Sequence, residues 1–377
     1  MLARLVAFDT TSRHSNLALI EFVEGWLAEH GIASRRVPNE DGSKTNLYAT
    51  IGPMAAGGVI LSGHTDVVPV DGQAWTSDPW TLTERDGKLF GRGTCDMKGF
   101  IALALAAVPD FAAMGLARPI HLALSYDEEV GCLGAPSMIA RLAAELPPVA
   151  AAVIGEPSSM ELITAHKGIA SWRVTVTGHE AHSSLTHLGV SANMVAVELM
   201  HWLAGIADEL AGQGDPIGGF LPPHATLTIG QINGDTAVNI LAGRCEFVFD
   251  LRTLPGQDPV AILAPFFRRA DALDASIAAR FAGCGVEVVQ RSQTPALAPV
   301  AAPATIDLVR RLAGDNGTPR SAAYAAEAGQ FQEAGFDAII CGPGSIDQAH
   351  QPDEYVSLSQ LQRGAVFMQR LGDALAR

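Results

Sequence analysis

The sequence predicts an α/β fold, in which helices cover a mixed sheet, together with a second α+β unit inserted into the chain. Short apolar runs at residues 59–61 and 120–125 alternate with helical patterns in the first part of the chain. Near Ser171 the pattern changes to polar–apolar alternation, which is typical of a half-exposed strand. The chain has 377 residues, which is more than one hydrophobic core usually serves.

The elements of the first unit follow from these patterns in chain order. The strands are short apolar runs next to turn residues, and the helices have apolar side chains at helical spacing. We expect strands at residues 59–61, 120–125 and 149–154 and helices at residues 99–114 and 136–146. The chain returns to this unit with a helix at residues 308–312, a strand at 336–341 and a helix at 357–375.

The inserted unit has its own pattern of strand, helix, strand, strand, helix and strand, which is typical of a small α+β sandwich. We expect strands at residues 172–177, 225–232 and 245–251 and helices at 191–210 and 259–272, with loops at 212–223 and 293–303. The expected bounds are residues 1–169 and 290–377 for the first unit and residues 170–289 for the inserted unit.

Composition and charge exclude several function classes. Hydrophobic residues make up 48% of the chain and charged residues 17%, which is typical of a well-buried globular protein. The net charge of −15 disfavours nucleic-acid partners and anionic membrane surfaces. The five cysteines are widely spaced without a C-x-x-C pair, and the first residues lack the pattern of a signal peptide, so we expect a cytoplasmic protein.

Imidazoles and carboxylates follow the predicted strands at several points of the chain. They are His64, Asp66, Asp96, Glu128, Glu129, Glu156 and His350. In open α/β sheets, ligands bind beyond the carboxyl ends of the strands. Histidine nitrogens and carboxylate oxygens suit zinc, and a bridging carboxylate would hold two ions about 3.5–4 Å apart. The sequence therefore predicts a two-metal site at the strand ends.

Each of these residues also has an ordinary interpretation. A solvated loop would account for an isolated His64-x-Asp66 pair, and Asp96 would be a helix N-cap because a predicted helix begins just after it. An Asp-Glu-Glu run such as residues 127–129 is common in exposed acidic turns. The ordered set of segments, rather than any single residue, favours the metal site.

In this order, the Gly63–Pro69 segment and the segments around Asp96, Glu128, Glu156 and His350 resemble the zinc metallohydrolase family that contains acetylornithine deacetylase, succinyl-diaminopimelate desuccinylase and aminoacylase. The resemblance covers nearly the whole chain, and its closing segment is most similar to the acetylornithine deacetylases. It implies a zinc-exopeptidase-like catalytic domain with an inserted ferredoxin-like dimerisation or lid domain. One departure is a cysteine at position 95, where many relatives carry a small residue without a thiol.

The resemblance also implies a role for each site residue. Two Zn²⁺ ions per subunit, with Co²⁺ as an alternative, would be bound by His64, Asp96, Glu129, Glu156 and His350, with Asp96 as the bridge. Asp66 would orient His64, and Glu128 would be the general base. His182 would reach the site of a neighbouring subunit in a homodimer and donate a hydrogen bond to the oxyanion of the tetrahedral intermediate.

The implied substrate is N2-acetyl-L-ornithine, cleaved to L-ornithine and acetate as in arginine biosynthesis. Asn239 and Arg252 would hold the substrate α-carboxylate, and Glu327 would pair with the δ-amine. The alternatives are a surface charge for Arg252 and a helix cap for Glu327. A second hypothesis is another N-acyl amino acid or dipeptide hydrolase of this family. A third is a metal-binding scaffold, which would have no need of a base such as Glu128.

Overall fold

The structure is a computed structural model that describes residues 1–234, 237–300 and 302–376. The chain forms two compact units. The first consists of Met1–His166, Leu297–Ser321 and Ala326–Arg377, and the second of Lys167–Ala296 and Ala322–Ala325. The boundary expected at residue 289 falls inside the last strand of the second unit, which extends to Thr294.

The helices and strands are numbered along the chain. The helices are α1 (Leu2–Val6), α2 (Leu17–Glu29), α3 (Lys98–Ala113), α4 (Ala135–Glu145), α5 (Ala192–Ala211), α6 (Pro259–Ala278), α7 (Pro303–Ala313), α8 (Ala328–Glu333) and α9 (Leu358–Leu375). The strands are β1 (Ser34–Pro38), β2 (Thr45–Ile51), β3 (Val59–His64), β4 (Thr83–Arg85), β5 (Lys88–Phe90), β6 (Ile120–Ser125), β7 (Ala151–Pro157), β8 (Ile163–His166), β9 (Gly168–Thr177), β10 (Thr226–Asn233), β11 (Arg244–Thr253), β12 (Gly285–Thr294), β13 (Arg320–Ala322), β14 (Ala338–Gly342) and β15 (Tyr355–Ser357).

The first unit is built on an eight-stranded mixed sheet with the order β1-β2-β6-β3-β7-β14-β8-β13. The central strands β6, β3, β7 and β14 are parallel neighbours, and β2 joins β6 in the antiparallel sense. Every residue of β3, β6 and β7 is buried, because helices such as α3 pack on this part of the sheet. The predicted α/β fold with a mixed sheet is therefore confirmed.

The second unit has the order β9-α5-β10-β11-α6-β12, and its sheet has the strand order β10-β11-β9-β12 with antiparallel neighbours throughout. The inward residues of β9 and β11 alternate with outward ones, as expected for a sheet with one covered face. Aromatic side chains fill its core, where the Trp172 and Phe249 rings stack with centroids 5.5 Å apart. The βαββαβ pattern is the ferredoxin-like motif.

The predicted elements recur with ends that differ by a few residues, whereas the elements before residue 59, among them the 13-residue helix α2 and the seven-residue strand β2, were not predicted. The helix expected at residues 308–312 begins earlier, at Pro303, because proline suits the first position of a helix. The small sheet β15-β5-β4 was not predicted, since each of its strands has three residues and shows no measurable period. No helix of the described residues is both long and apolar enough to cross a membrane.

Candidate metal centre and active site

The carboxyl ends of the four central parallel strands carry the candidate site. His64 is the last residue of β3, and the Asp127-Glu128-Glu129 run follows the end of β6. Glu156 is the penultimate residue of the strand β7, and the segment after β14 leads to His350. Parallel strands end at the same edge of a sheet, so the sheet topology brings together residues that are up to 286 positions apart in sequence (350 − 64).

Asp96 lies between the two histidines of this cluster. Its Oδ1 is 2.9 Å from His64 Nε2, and its Oδ2 is 3.3 Å from His350 Nε2. Glu156 Oε1 lies 3.7 Å from His64 Nε2, and Glu129 Oε2 lies 3.0 Å from His350 Nε2. The two oxygens of Asp96 thus face two different groups of nitrogen and oxygen atoms.

These residues fit divalent metal ions. Ligand atoms of His64, Glu128 and Glu156 lie within 4.8 Å of one another, and so do those of His64, Asp96 and Glu129. Glu129 Oε1 and Glu156 Oε1 are buried and have no hydrogen-bond partner in the part of the chain that the structure describes. A buried carboxylate oxygen is unfavourable unless a donor or a cation compensates its charge. The donor set of imidazole and carboxylate groups is the one that zinc prefers.

The two adjacent glutamates lie in different groups that share His64. Glu128 lies with His64 and Glu156, whereas Glu129 lies with His64 and Asp96 and contacts His350. A tight turn after β6 carries both of them. The backbone N–H groups of Gly131 and Cys132 donate to the Glu128 carbonyl oxygen at 2.9 and 2.8 Å. The Cys132 thiol also donates to Glu128 Oε1 at 3.3 Å, a contact that the sequence did not suggest.

Asp66 holds this turn against the end of β3. Its carboxylate accepts hydrogen bonds from the backbone N–H groups of Glu128 and Glu129 at 3.1 and 3.3 Å and from the Ser12 hydroxyl at 2.7 Å. His64 Nδ1 lies 2.9 Å from the Asp66 carbonyl oxygen and 3.6 Å from its Oδ1. Asp66 therefore contacts His64 mainly through its backbone, and its carboxylate supports the glutamate turn.

Asp96 does not cap the following helix. The residue before α3 is Met97, and no side chain caps this helix end. Instead, Glu354 Oε1 accepts hydrogen bonds from the backbone N–H groups of Cys95 and Asp96 at 2.8 and 3.0 Å. The Cys95 thiol is buried and donates to the Ser345 carbonyl oxygen at 3.3 Å. Cys95 therefore packs beside the cluster without pointing its sulfur into either group of candidate ligands.

The electrostatics of the site are those of a crowded group of carboxylates. Burial, followed by the charge of Asp96, raises the pKa of Glu129 to about 7 and that of Glu156 well above its usual range. Burial raises the pKa of Glu128 strongly as well. Hydrogen bonds with Asp96 and Glu129 raise the pKa of His350 to about 10. This much negative charge in one buried place favours the binding of cations.

Glu327 lies in the first unit and is only 1% exposed. It precedes α8, but its side chain makes no capping hydrogen bond, so the capping alternative is not supported. Its carboxylate lies near Ser62 and Ser125, and within electrostatic range of His64. Burial raises the pKa of Glu327 to about 7, and its Oε1 has no hydrogen-bond partner among the described residues.

The three remaining candidates lie in the second unit. The exposed His182 forms an isolated bridge with Ile240, and the backbone N–H of Ser183 donates to the Asn239 carbonyl oxygen at 2.9 Å. His182 and Asn239 are therefore neighbours at the surface of this unit. Arg252 is one-third exposed near the end of β11, and its Nε donates to Asp250 Oδ2 at 3.0 Å.

Comparisons with known proteins agree with this architecture. A family model described as Peptidase family M20/M25/M40 matches residues 60–373. The acetylornithine deacetylase of Proteus mirabilis (strain HI4320) is 36% identical over 376 residues, which cover 97% of this chain and 92% of that protein. The acetylornithine deacetylase of Myxococcus xanthus is 35% identical over 382 residues, which cover 98% of this chain and 95% of that protein.

A solved structure of an M20 family metallo-carboxypeptidase from Sulfolobus solfataricus has the same fold. Its TM-score is 0.79 at 16% sequence identity, and the match covers 100% of this chain and 98% of that chain. The family match spans every candidate site residue, from His64 to His350. The chain is a hydrolytic enzyme, and it belongs to peptidase family M20/M25/M40.

Proposed function

We propose that this chain is a two-zinc amidohydrolase that removes the acetyl group from N2-acetyl-L-ornithine and releases L-ornithine and acetate. The observation that carries the proposal is the position of Asp96, whose two carboxylate oxygens face His64 and His350 separately. Glu156 and Glu129 complete the two groups, so this set offers ligands to two ions with one shared carboxylate. The substrate comes from the relatives, which are named acetylornithine deacetylases.

When bound, the metal ions act as Lewis acids that make water a nucleophile at neutral pH and polarise the acyl carbonyl. Glu128 takes a proton from the attacking water as the new C–O bond forms. It returns this proton to the amide nitrogen as the C–N bond breaks, so that the amine leaves neutral and the second proton of the water stays on the new carboxyl group. At neutral pH that proton passes to the amine, which gives acetate and the ammonium form of L-ornithine. The high pKa of Glu128, caused by burial, suits a group that must both accept and donate a proton.

The second unit contributes the groups that bind the oxyanion and the α-carboxylate of the substrate. His182 donates a hydrogen bond to the oxyanion of the tetrahedral intermediate, and Asn239 and Arg252 hold the substrate α-carboxylate. His182 acts from the partner subunit of a homodimer, which is formed through the second unit. None of the five cysteines, all of which lie in described segments, takes part in a disulfide, and this supports a cytoplasmic location.

Glu327 gives the enzyme its preference for a cationic side chain. Its buried, unpartnered Oε1 is suited to accept a hydrogen bond from the δ-ammonium group of ornithine. A hydrogen bond to a charged group contributes about 1.5–3 kcal/mol. We therefore expect Glu327→Gln to lower kcat/KM about ten- to a hundredfold for N2-acetyl-L-ornithine and only slightly for N-acetyl-L-methionine, which has no side-chain charge.

The direct test measures acetate release by the zinc-loaded enzyme from a panel of N-acyl amino acids, together with the metal content of protein purified without chelator. We expect two ions per chain and N2-acetyl-L-ornithine as the best substrate. Full activity with one ion or none would contradict the two-metal proposal. Faster hydrolysis of N-succinyl-diaminopimelate or of a dipeptide would assign the chain to another activity of the same family.

A further inference from the structure

A fully buried ion pair lies beside the candidate metal centre and has no part in the chemistry proposed above. Arg92 Nη1 is 2.7 Å from Glu354 Oε2, and each side chain is only 1% exposed. Replacing such a pair by apolar side chains is often neutral or stabilising, because both charges lose their hydration when they are buried. A contribution to stability therefore does not account for this pair. Its contacts connect it to the segment of Asp96 and to the loop of His350.

Glu354 fixes the backbone at the shared carboxylate. Its Oε1 accepts hydrogen bonds from the backbone N–H groups of Cys95 and Asp96 at 2.8 and 3.0 Å. Its own carbonyl oxygen accepts a hydrogen bond from the Gly91 N–H at 3.0 Å. The segment that carries Asp96 is thus held at both ends by one residue that lies 258 positions away in the chain.

Arg92 connects this segment to the loop that carries His350. Its Nη1 donates to the Gln351 carbonyl oxygen at 3.3 Å, and its Nη2 donates to the side chain of Gln73. Gln73 Nε2 in turn donates to the His350 carbonyl oxygen at 2.9 Å. The guanidinium group also lies 5.0 Å from the ring of Trp75, which limits its movement.

The loop needs this support because of its backbone conformation. His350 has a φ of 62°, in the left-handed region that residues with a side chain seldom adopt. Asp353, in the same loop, has a φ of 55° and accepts a hydrogen bond from the Thr76 N–H at 2.9 Å. Contacts from residues 73–76 and from Arg92 therefore hold a loop that would favour other conformations on its own.

We infer that Arg92, Glu354 and Gln73 are positioning residues that set the separation of Asp96 and His350, and that they thereby determine the affinity of the metal site formed by Asp96, Glu129 and His350. The inference rests on the proposed two-metal function. The His64 and Glu156 side of the centre is held by other contacts and depends on them less. Groups that orient metal ligands typically change metal affinity about 10- to 100-fold when they are removed.

The experiment titrates the metal-free full-length protein with Co²⁺, whose absorption spectrum reports each binding step, and repeats the titration with Zn²⁺ against a competing chelator. We expect two steps for the wild type. Glu354→Ala should weaken one step about 10- to 100-fold. It should weaken the other step clearly less, because Asp96 is shared by both ions whereas the His350 loop serves only one. Glu354→Gln should weaken the more affected step less than Glu354→Ala does, because its amide oxygen still accepts both backbone hydrogen bonds.

Gln73→Ala provides the variant that spares the fold, because Gln73 is only partly buried. It should weaken the step that Glu354→Ala weakens more. Its matched control is Gln332→Ala, which also removes a partly buried, hydrogen-bonded glutamine. Both hydrogen bonds of Gln332 are with the backbone of Ala298, away from the candidate centre. Gln332→Ala should leave both steps unchanged.

The outcomes separate the inference from the function on which it rests. Unchanged affinities in both Gln73→Ala and folded Glu354→Ala, or an equal loss in both steps, would overturn the positioning role. If Glu354→Ala does not fold, as judged by circular dichroism, Gln73→Ala decides the question alone. A wild-type protein that binds fewer than two ions would instead overturn the proposed two-metal function.

Discussion

At the scale of single residues, the centre contains carboxylates that are chemically alike but contact different residues. Glu128 and Glu129 are adjacent in sequence, yet Glu128 lies with His64 and Glu156 whereas Glu129 contacts His350. The turn after β6 separates them, and Asp66 holds both of their backbone N–H groups. Two neighbouring residues of one type can therefore have two different tasks.

We predict that Glu128→Gln and Glu129→Gln have different consequences. Glu128→Gln should retain both metal ions and lose about 10²- to 10⁴-fold in kcat, because a general base contributes this much. Glu129→Gln should weaken one metal site, since an amide is a poorer ligand than a carboxylate. Metal analysis and steady-state kinetics of both variants check this. Equal metal loss in the two variants would mean that the roles are assigned wrongly.

The buried Glu327 should make the stability of the metal-free protein depend on pH. Its pKa is raised from an ordinary 4.5 to about 7 by burial, so the folded state holds this proton more tightly than the unfolded state. Stability is therefore lost as pH rises from 4.5 through about 7. Glu327→Gln cannot ionise and should gain up to about 3 kcal/mol relative to the wild type between pH 4 and pH 8.

Urea unfolding of the chelator-treated protein at a series of pH values measures this difference. Glu333→Gln is the control, because Glu333 lies on the same helix, α8, but is exposed. Its stability relative to the wild type should change little over the same range. A constant difference between Glu327→Gln and the wild type at all pH values would show that Glu327 ionises normally in the folded protein.

At the scale of elements, the sequence predicts what depends on local pattern. The strands β3, β6 and β7 are apolar runs, and the helices α3 and α5 have regular apolar spacing, so all were found within a few residues. The assignment of His64, Asp96 and His350 to one metal site depended on the family resemblance. No local pattern determines which strand ends become neighbours in the sheet. The hydrogen bonds by which Glu354 supports Asp96 were not predicted, since they join residues 258 and 259 positions apart in sequence.

Two elements of the second unit present surfaces suited to a second copy of the chain. β10 is an edge strand of its sheet and pairs only with β11 among the described strands. On α5, the side chains of Met194, Val197 and Trp202 are 69%, 54% and 42% exposed. Unpaired edge strands and exposed apolar stripes are both features that proteins usually cover by association.

We predict that Val197→Lys weakens the proposed dimer, because a lysine at an apolar interface would lose its hydration on association. The dimer dissociation constant should rise at least about tenfold, which corresponds to 1.4 kcal/mol. Sedimentation or light scattering over a range of concentrations measures this. Val366→Lys is the control, because Val366 is 41% exposed on α9 of the first unit. A Val197→Lys protein with unchanged mass would exclude this face as the interface.

At the scale of the whole molecule, the proposed reaction divides its groups between the two units. The candidate metal ligands and Glu128 belong to the first unit, whereas His182, Asn239 and Arg252 belong to the second. The net charge of −15 and the carboxylate cluster also agree with an enzyme that binds metal ions and a substrate with a cationic side chain. If His182 acts from the partner subunit, each complete site requires residues of two chains.

We predict that two inactive variants, His182→Ala and Glu128→Gln, restore activity when their subunits are mixed. In a mixed dimer, the subunit with an intact Glu128 receives an intact His182 from its partner, so one of its two sites is complete. If subunits exchange freely at equal concentrations, half of the dimers are mixed, and activity should reach roughly a quarter of the wild-type value. Unmixed samples of each variant, treated in the same way, give the baseline. If subunit exchange is demonstrated by differently labelled chains and activity stays at this baseline, His182 acts within its own chain, because no pairing of the variants has then completed a site.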